Sequence, residues 1–201
     1  MTVAALAGLV GCGSSEPSDG PAPESRSSAV PAYVVAYRAG HTAGKAVYDS
    51  SGKGAAVREI VWGGCTRRAL QAGSDAESDR GAWVRGCLHG VTNGPERLPT
   101  GPVIKRTPDA EMLERFHAWA RAKGEAPHVD HARVLAVAQL TEYDYDVELS
   151  TDYSTGSEMP ESESLARSFL EWWDGDHGRQ GTARNVLVLG ADGKRLTAQR
   201  I

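Results

Sequence analysis

The sequence is short of several things at once. It has no apolar run long enough to cross a bilayer, only three cysteines, and a formal net charge of just -4 across 201 residues. Each shortage excludes something. A spanning helix needs roughly 20 apolar residues in a row, and the stretch from Val3 to Val10 falls far below that. The charge is too mild to draw nucleic acid, or an anionic membrane surface, to the chain as a whole. No Cys-x-x-Cys is present, so the usual dithiol redox centre is missing. Phosphate-binding Gly-x-x-x-x-Gly-Lys-[Ser/Thr], His-Glu-x-x-His and the dinucleotide fingerprint are missing too, and no cofactor is expected. Nor is there a Gly-x-Ser-x-Gly, and Ser154-Thr155-Gly156-Ser157 falls in a loop without the strand-turn-helix setting that exposes a nucleophile. What remains is ordinary globular material: 40% hydrophobic and 24% charged residues, enough to bury a core in one domain or two small ones.

The N-terminal stretch ALAGLVGCGSS, residues 5–15, ends a short apolar run in Gly-Cys and then turns polar. Such a run suits the apolar segment of a signal peptide, with small residues beside the cut. The following GSSEPSDGPAPESRSSAVP, rich in Ser, Pro and Gly, cannot continue a buried helix and reads as a flexible tether. Leu9-Val10-Gly11-Cys12 resembles the lipobox of bacterial lipoproteins, although the Lys or Arg that usually precedes the apolar segment is missing from Met1-Thr2. The resemblance implies cleavage before Cys12, a lipidated thiol there, and a position on the outer face of the cytoplasmic membrane. Gly63-Gly64-Cys65, WVRGC from Trp83 to Cys87 and Ala191-Asp192-Gly193-Lys194 extend the likeness to small exported lipoproteins of actinobacteria, a group without an assigned activity. It implies an address and no substrate.

If Cys12 carries lipid, Cys65 and Cys87 remain as an even pair in an oxidising compartment, where a disulfide is expected. Val57, Ile60, Val61, Cys65 and Ala69 form one helical stripe, and Trp83, Val84, Cys87 and Val91 another. With Gly73 and Asp79 as stop and start between them, two antiparallel helices are expected face to face. A metal pair lacks His or Cys at ligand spacing; two buried free thiols are the other alternative. Before these, Tyr33, Tyr37, Gly40, Gly44 and Tyr48 recur at helical spacing, and the small residues allow a second helix to come close. His41 reads as a partly exposed helix residue. Residues 32–94 are therefore expected to be three helices, carrying eight Lys/Arg against five Asp/Glu.

Residues 95–106 read as a linker, and 107–201 as an α+β domain with ten Lys/Arg against seventeen Asp/Glu. The opposite signs either dock the halves or merely keep each soluble. Thr107 is expected to cap a helix with Pro108 in its first turn, a core face of Met112, Leu113, Phe116, Trp119 and Ala120, and Gly124 at its end. RVLAVAQL, residues 133–140, reads as a strand covered on both faces. EYDYDVELS alternates Tyr143, Tyr145, Val147 and Leu149 with Glu142, Asp144, Asp146 and Glu148, which predicts one buried face and one acidic, solvated face. Pro160 opens a helix with the stripe Leu165, Phe169 and Trp172 or Trp173, before Gly175; Ala191-Asp192-Gly193 joins two strands as a hairpin. The order α-β-β-α-β-β predicts helices packed on one face of a mostly antiparallel sheet.

Candidate chemistry is sparse. His128-Val129-Asp130-His131 offers two imidazoles and a carboxylate, but without a third ligand it reads as a loop, and no metal is expected. The acidic alternation lacks a Gly-punctuated calcium loop. Trp172-Trp173-Asp174 with Asp176 and His177 suggests an aromatic carbohydrate groove, against which the helical stripe claims at least one Trp for the core. The reading is a lipid-anchored binding or interaction protein whose partner is a protein or small molecule and not nucleic acid. The alternative is an envelope hydrolase or metal-dependent enzyme built on His128, Asp130, His131, Asp176 and His177.

Overall fold

The structure is a computed structural model that describes residues 29–154, 159–174 and 180–201. Cys12, with the expected signal peptide and most of the expected tether, lies outside the described residues, as do Gly175, Asp176 and His177. Five helices come first: α1 Ala32–Ser51, α2 Lys53–Val61, α3 Gly64–Gln71, α4 Ser74–Glu77 and α5 Arg80–Val91. Where three were expected, glycines divide the chain further. Gly52, Gly63 and Gly73 separate the first four helices, with φ of 66°, 65° and 66°, a region that side chains with a Cβ rarely enter. Asp79 starts α5 by accepting the Ala82 N–H at 2.9 Å.

The Gly63 break corrects one expectation. Residues 57–69 do not form a continuous inward stripe: Cys65 and Ala69 of α3 are buried, whereas Val57, Ile60 and Val61 of α2 face solvent. α2 buries Ala55 and Glu59 instead. The disulfide itself is present and joins α3 to α5, Cys65 to Cys87, with Cα atoms 5.8 Å apart.

α1 and α5 pack with their backbones nearly touching. A Cβ on Gly40 or Gly44 would lie 2.0 or 2.2 Å from the carbonyl oxygens of Trp83 and Cys87. Reciprocally, a Cβ on Gly86 or Gly90 would lie 2.0 or 2.3 Å from those of Tyr37 and His41. Two Gly-x-x-x-Gly runs thus face each other, and the space they vacate is filled by helix backbone.

The second half holds β1 Lys105–Pro108, α6 Ala110–Lys123, α7 Ala126–Val129, β2 Ala132–Gln139, β3 Asp144–Thr151, α8 Met159–Trp172, β4 Thr182–Leu189 and β5 Arg195–Arg200. The fold is α+β. Its five strands lie in the order β1-β2-β3-β4-β5, and all neighbours are antiparallel except β3 and β4, which α8 connects. Met112 and Phe116 of α6 and Leu165 and Phe169 of α8 pack on Leu135, Val137, Tyr145, Val147, Leu149, Val186 and Val188. The hairpin falls between β4 and β5, with Gly193 at φ 76°.

Two local expectations are corrected. Thr107 and Pro108 are strand residues paired with Val137 and Ala136, and Asp109 caps α6 in their place, accepting the Met112 N–H at 2.8 Å. The predicted solvated face of β3 is also absent: Asp144, Asp146 and Glu148 are all buried. β3 is the central strand, and the helical half covers the face that α6 and α8 leave open.

The glycine contact predicts opposite outcomes for one substitution. Gly86→Ala should lose about 2 kcal/mol or more, since backbone must move, whereas Gly54→Ala on α2, with nothing within 4 Å, should gain roughly 0.5–1 kcal/mol from helix propensity. Urea unfolding of both variants decides it, and equal effects would refute the packing. Replacing Cys65 and Cys87 together by Ala should lower stability by about 3 kcal/mol on the chain-entropy account of disulfides.

Candidate functional site

The buried acids of β3 come first, because they set where α5 lies. Across the sheet, Arg106, Ala138, Asp146, Asn185 and Arg200 form one row of register partners, and Pro108, Ala136, Glu148, Leu187 and Ala198 the next. The alanines leave room above the sheet, and Arg80 of α5, 2% exposed, fills it. Its Nη2 donates to Glu148 Oε1 at 2.6 Å and its Nε to Asp146 Oδ2 at 3.3 Å. Asn185 Nδ2 donates to the other Asp146 oxygen at 2.7 Å, and Arg106 Nε to the other Glu148 oxygen at 2.7 Å. Arg184 pairs with Asp144 at 2.6 Å.

Burial pushes Asp146 up to about 6, against the pull of Arg80 and the Asn185 amide, with repulsion from Glu148 adding to the rise. Burial also disfavours the charge on Arg80, but Asp146 and Glu148 outweigh it and hold the guanidinium above its ordinary value. Among the described residues no fully buried polar side-chain atom of Arg80, Asp146, Glu148 or Asn185 lacks a hydrogen bond, and Asn185 also borders a recess beside β5. The cluster is a docking device.

Next to Arg80, Asp79 is equally buried. Besides capping α5 it accepts the backbone N–H groups of Val103 at 2.7 Å and Ile104 at 3.1 Å. That fixes the segment before β1 against α5 and opens a cleft between them. The cleft, about 530 Å³, is lined by Arg85, Leu88 and His89 of α5, Val103 and Lys105, and Gln139, Leu140, Thr141 and Glu142 at the β2–β3 turn. A second recess of about 370 Å³, walled by Pro99 to Pro102, shares Arg85, Val103 and Lys105 with it. Among the described residues neither Arg85 nor Lys105 has a carboxylate within ion-pair distance.

His89 is anchored from behind. Its Nδ1 lies 2.6 Å from the hydroxyl of fully buried Tyr37, which also accepts the Arg97 N–H at 2.8 Å. Burial lowers the His89 pKa, and the charges of Arg85, Arg97 and His41 lower it further. Both effects favour the uncharged ring, and an uncharged ring that accepts the Tyr37 hydroxyl at Nδ1 carries its proton on Nε2. Thr141 supplies the one hydroxyl among the lining residues, and it is committed to the turn, accepting the N–H groups of Tyr143 at 3.1 Å and Asp144 at 2.9 Å. An apolar floor, two unpaired cations and a positioned imidazole are equipment for holding an anion with an apolar body.

The residues singled out in the sequence lie elsewhere. His131 Nδ1 sits 2.6 Å from Asp152 Oδ1, its ring stacked 4.6 Å above Tyr153; Arg133 pairs with the same carboxylate. His131 and Arg133 hydrogen bonds hold Asp152 below its ordinary range. The His128 carbonyl accepts from the Tyr153 hydroxyl at 3.3 Å, and Asp130 is exposed. Asp176 and His177 cannot be placed beside them, lying outside the described residues. Trp172 and Trp173 pack on Phe169, with ring centroids 5.5 Å away in each case. Among the described residues, the group of three potential metal ligands is Glu59, Cys65 and Cys87, whose sulfurs are bonded to each other. Arg80, Arg85, His89 and Lys105 were not singled out. A signal for Arg80 did exist: β2 reads as covered on both faces, and its neighbour cannot then have a solvated one. No protein-family model, curated protein or solved structure matches this chain.

Arg80→Ala leaves two buried carboxylates short of a cation and should lose on the order of 3–5 kcal/mol in urea unfolding. Asp146→Asn tests the raised pKa. The wild-type carboxyl holds its proton to higher pH when folded, so its stabilisation is complete below the ordinary 3.8 and lost as pH rises through about 6. Asn titrates nowhere. The variant should therefore gain on the wild type between pH 4 and pH 7, by on the order of 2 kcal/mol; a pH-independent difference contradicts it.

Proposed function

We propose that the chain is a lipid-anchored, extracytoplasmic binding protein whose ligand is a small molecule with one anionic group and an apolar body. The cleft beside α5 carries this reading: Arg85 and Lys105 face it without carboxylate partners, over Leu88, Val103 and Leu140. Its size falls within the ordinary range for small-molecule sites. Glu142 at the rim is the lining carboxylate, and it disfavours ligands with several negative charges. The lipobox-like Leu9-Val10-Gly11-Cys12 supports the address, and the Cys65–Cys87 disulfide fits an oxidising compartment.

Binding rather than turnover is the better reading because, among the described residues that line the cleft, the one hydroxyl, that of Thr141, is committed to the turn and none supplies a thiol to act as nucleophile beside the imidazole.

Thermal-shift and calorimetric titration with medium-chain carboxylates and alkyl phosphates test the cleft. A ligand of this class should raise the melting temperature and bind the wild type. Arg85→Glu with Lys105→Glu should weaken it by at least about tenfold, as loss of two charge-assisted contacts demands, and leave the free protein's melting temperature nearly unchanged. No binding across the panel refutes the site. The address has its own test: Cys12→Ala should leave the protein unprocessed and without lipid in mass spectrometry of the membrane fraction.

A further inference from the structure

α2 carries a surface that neither the fold nor the cleft uses. Val57, Ile60 and Val61 stand at i, i+3 and i+4 on its outer side, and Trp62 follows at its end, with exposures of 58%, 45%, 60% and 67%. Around them the chain collects arginine. Arg58, Trp62, Arg67, Arg68 and Arg200 line a recess of about 440 Å³, and an adjoining one of about 430 Å³ shares Arg67 and Arg200 and adds Arg195.

Most nearby carboxylates are already committed. Glu59 faces inward and pairs with Arg68 at 3.1 Å; Glu77 pairs with Arg195 at 3.0 Å; Asp144 pairs with Arg184. Arg58, Arg67 and Arg200 have no carboxylate partner among the described residues. The patch is also held firmly. Arg184 donates to the Val61 carbonyl at 3.4 Å, Arg200 to that of Trp62 at 3.5 Å, and Arg195 to that of Leu70 at 2.9 Å. These bonds from β4 and β5 take up carbonyls at the ends of α2 and α3 and pin the exposed helix to the sheet.

From this juxtaposition we propose that α2 and its arginine rim are a docking surface for an anionic lipid bilayer. Aliphatic side chains and a Trp enter the headgroup boundary, while guanidinium groups meet lipid phosphates. Charge complementarity supports this occupant, since Arg58, Arg67 and Arg200 line the recess beside the apolar face without a carboxylate partner among the described residues. Size argues in the same direction: four apolar side chains and three arginines fall well short of the 20–30 residues a side that a stable protein interface requires. The proposal deepens the reading of a membrane-anchored protein by giving the folded part its own contact with the surface.

The test uses the full chain carrying Cys12→Ser, with its disulfide intact, so that no lipid is attached. Sedimentation with vesicles of phosphatidylcholine alone and of phosphatidylcholine with phosphatidylglycerol in equal parts reads binding directly. The protein should bind the anionic vesicles, release at high salt, and ignore the neutral ones. Ile60→Asp with Trp62→Ser, and separately Arg58→Glu with Arg67→Glu, should each weaken binding by about tenfold, with unchanged far-ultraviolet dichroism and cleft binding. Absence of binding to anionic vesicles overturns the proposal. Binding that both variants retain overturns it too, since another segment is then responsible. A dimer that Trp62→Ser dissociates, with no vesicle binding, assigns the face to a second copy. None of these outcomes bears on lipidation at Cys12, which the unprocessed Cys12→Ala protein tests by itself.

Discussion

Arg80 reaching Asp146 and Glu148 is, among the described residues, the most deeply buried ionic contact between the two halves of this molecule. A buried ion pair contributes little net stability, because desolvation cancels much of its Coulombic gain. Its force lies in the arrangements it forbids. With α6 and α8 packed on one face of the sheet, the other presents three carboxylates from the central strand; Arg184 answers Asp144 and Arg106 one oxygen of Glu148, and a helix without a cation at that point would leave Asp146 buried without a cation and Glu148 short of one. Ala136 and Ala138 on β2 provide the height for one guanidinium. The two acids stand two residues apart on the same face of β3, so a single arginine spans them in one register. Sliding α5 by a turn would separate it from both.

α5 then has no idle face. Gly86 and Gly90 admit the backbone of α1, Cys87 is bonded to α3, Arg80 enters the sheet, and Arg85, Leu88 and His89 line the cleft. Such a helix shows weak amphipathicity, being buried nearly all round. Its placement is over-determined: a covalent bond, a backbone contact without slack and a buried ion cluster all act within three turns. The cleft side chains inherit that rigidity, and Tyr37 passes it to His89 from α1. A site supported this way loses little entropy when it binds.

The sequence disclosed the fold class well and the site poorly, for reasons visible in particular residues. Periodicity located α6 and α8 because each buries a single apolar stripe, whereas β2 was legible as a continuous apolar run and the terminal hairpin from its turn residues Ala191-Asp192-Gly193. The cysteine pair was legible from arithmetic and spacing. What failed were places where one residue outweighs a pattern. Gly63 breaks a good helical stripe and turns Val57, Ile60 and Val61 outward. Asp109 captures the helix start from Thr107 because Thr107 and Pro108 are needed in β1. The alternation in β3 was correct in period and wrong in meaning, since alternation reports two different faces without saying that one is wet. The cleft was illegible for a deeper reason: its lining comes from three separated segments, two of which Asp79 ties together through the backbone of Val103 and Ile104.

The charge asymmetry of the chain takes on a physical shape here. Seventeen acids against ten bases in residues 107–201 suggested either attraction between the halves or ordinary solubility. The structure divides the work. One arginine from the first half, with Arg106 from β1, answers Asp146 and Glu148, while Asp144 is met by Arg184 of the second half itself, so attraction acts through few residues at short range. Three other cations of the first half, without a carboxylate partner among the described residues, gather elsewhere: Arg85 at the cleft, Arg58 and Arg67 beside α2. Coulomb's law makes that division consequential. A cation inside a low-dielectric contact is neutralised by its partners and projects little field, whereas one at the surface without a carboxylate beside it projects its field over about a Debye length of solvent. A chain that is acidic overall thereby presents two local surfaces of the opposite sign. Both draw on the two halves, since Lys105 and residues 139–142 line the cleft with α5 and Arg200 of β5 joins Arg58 and Arg67 beside α2, so each surface depends on the docking of one half against the other.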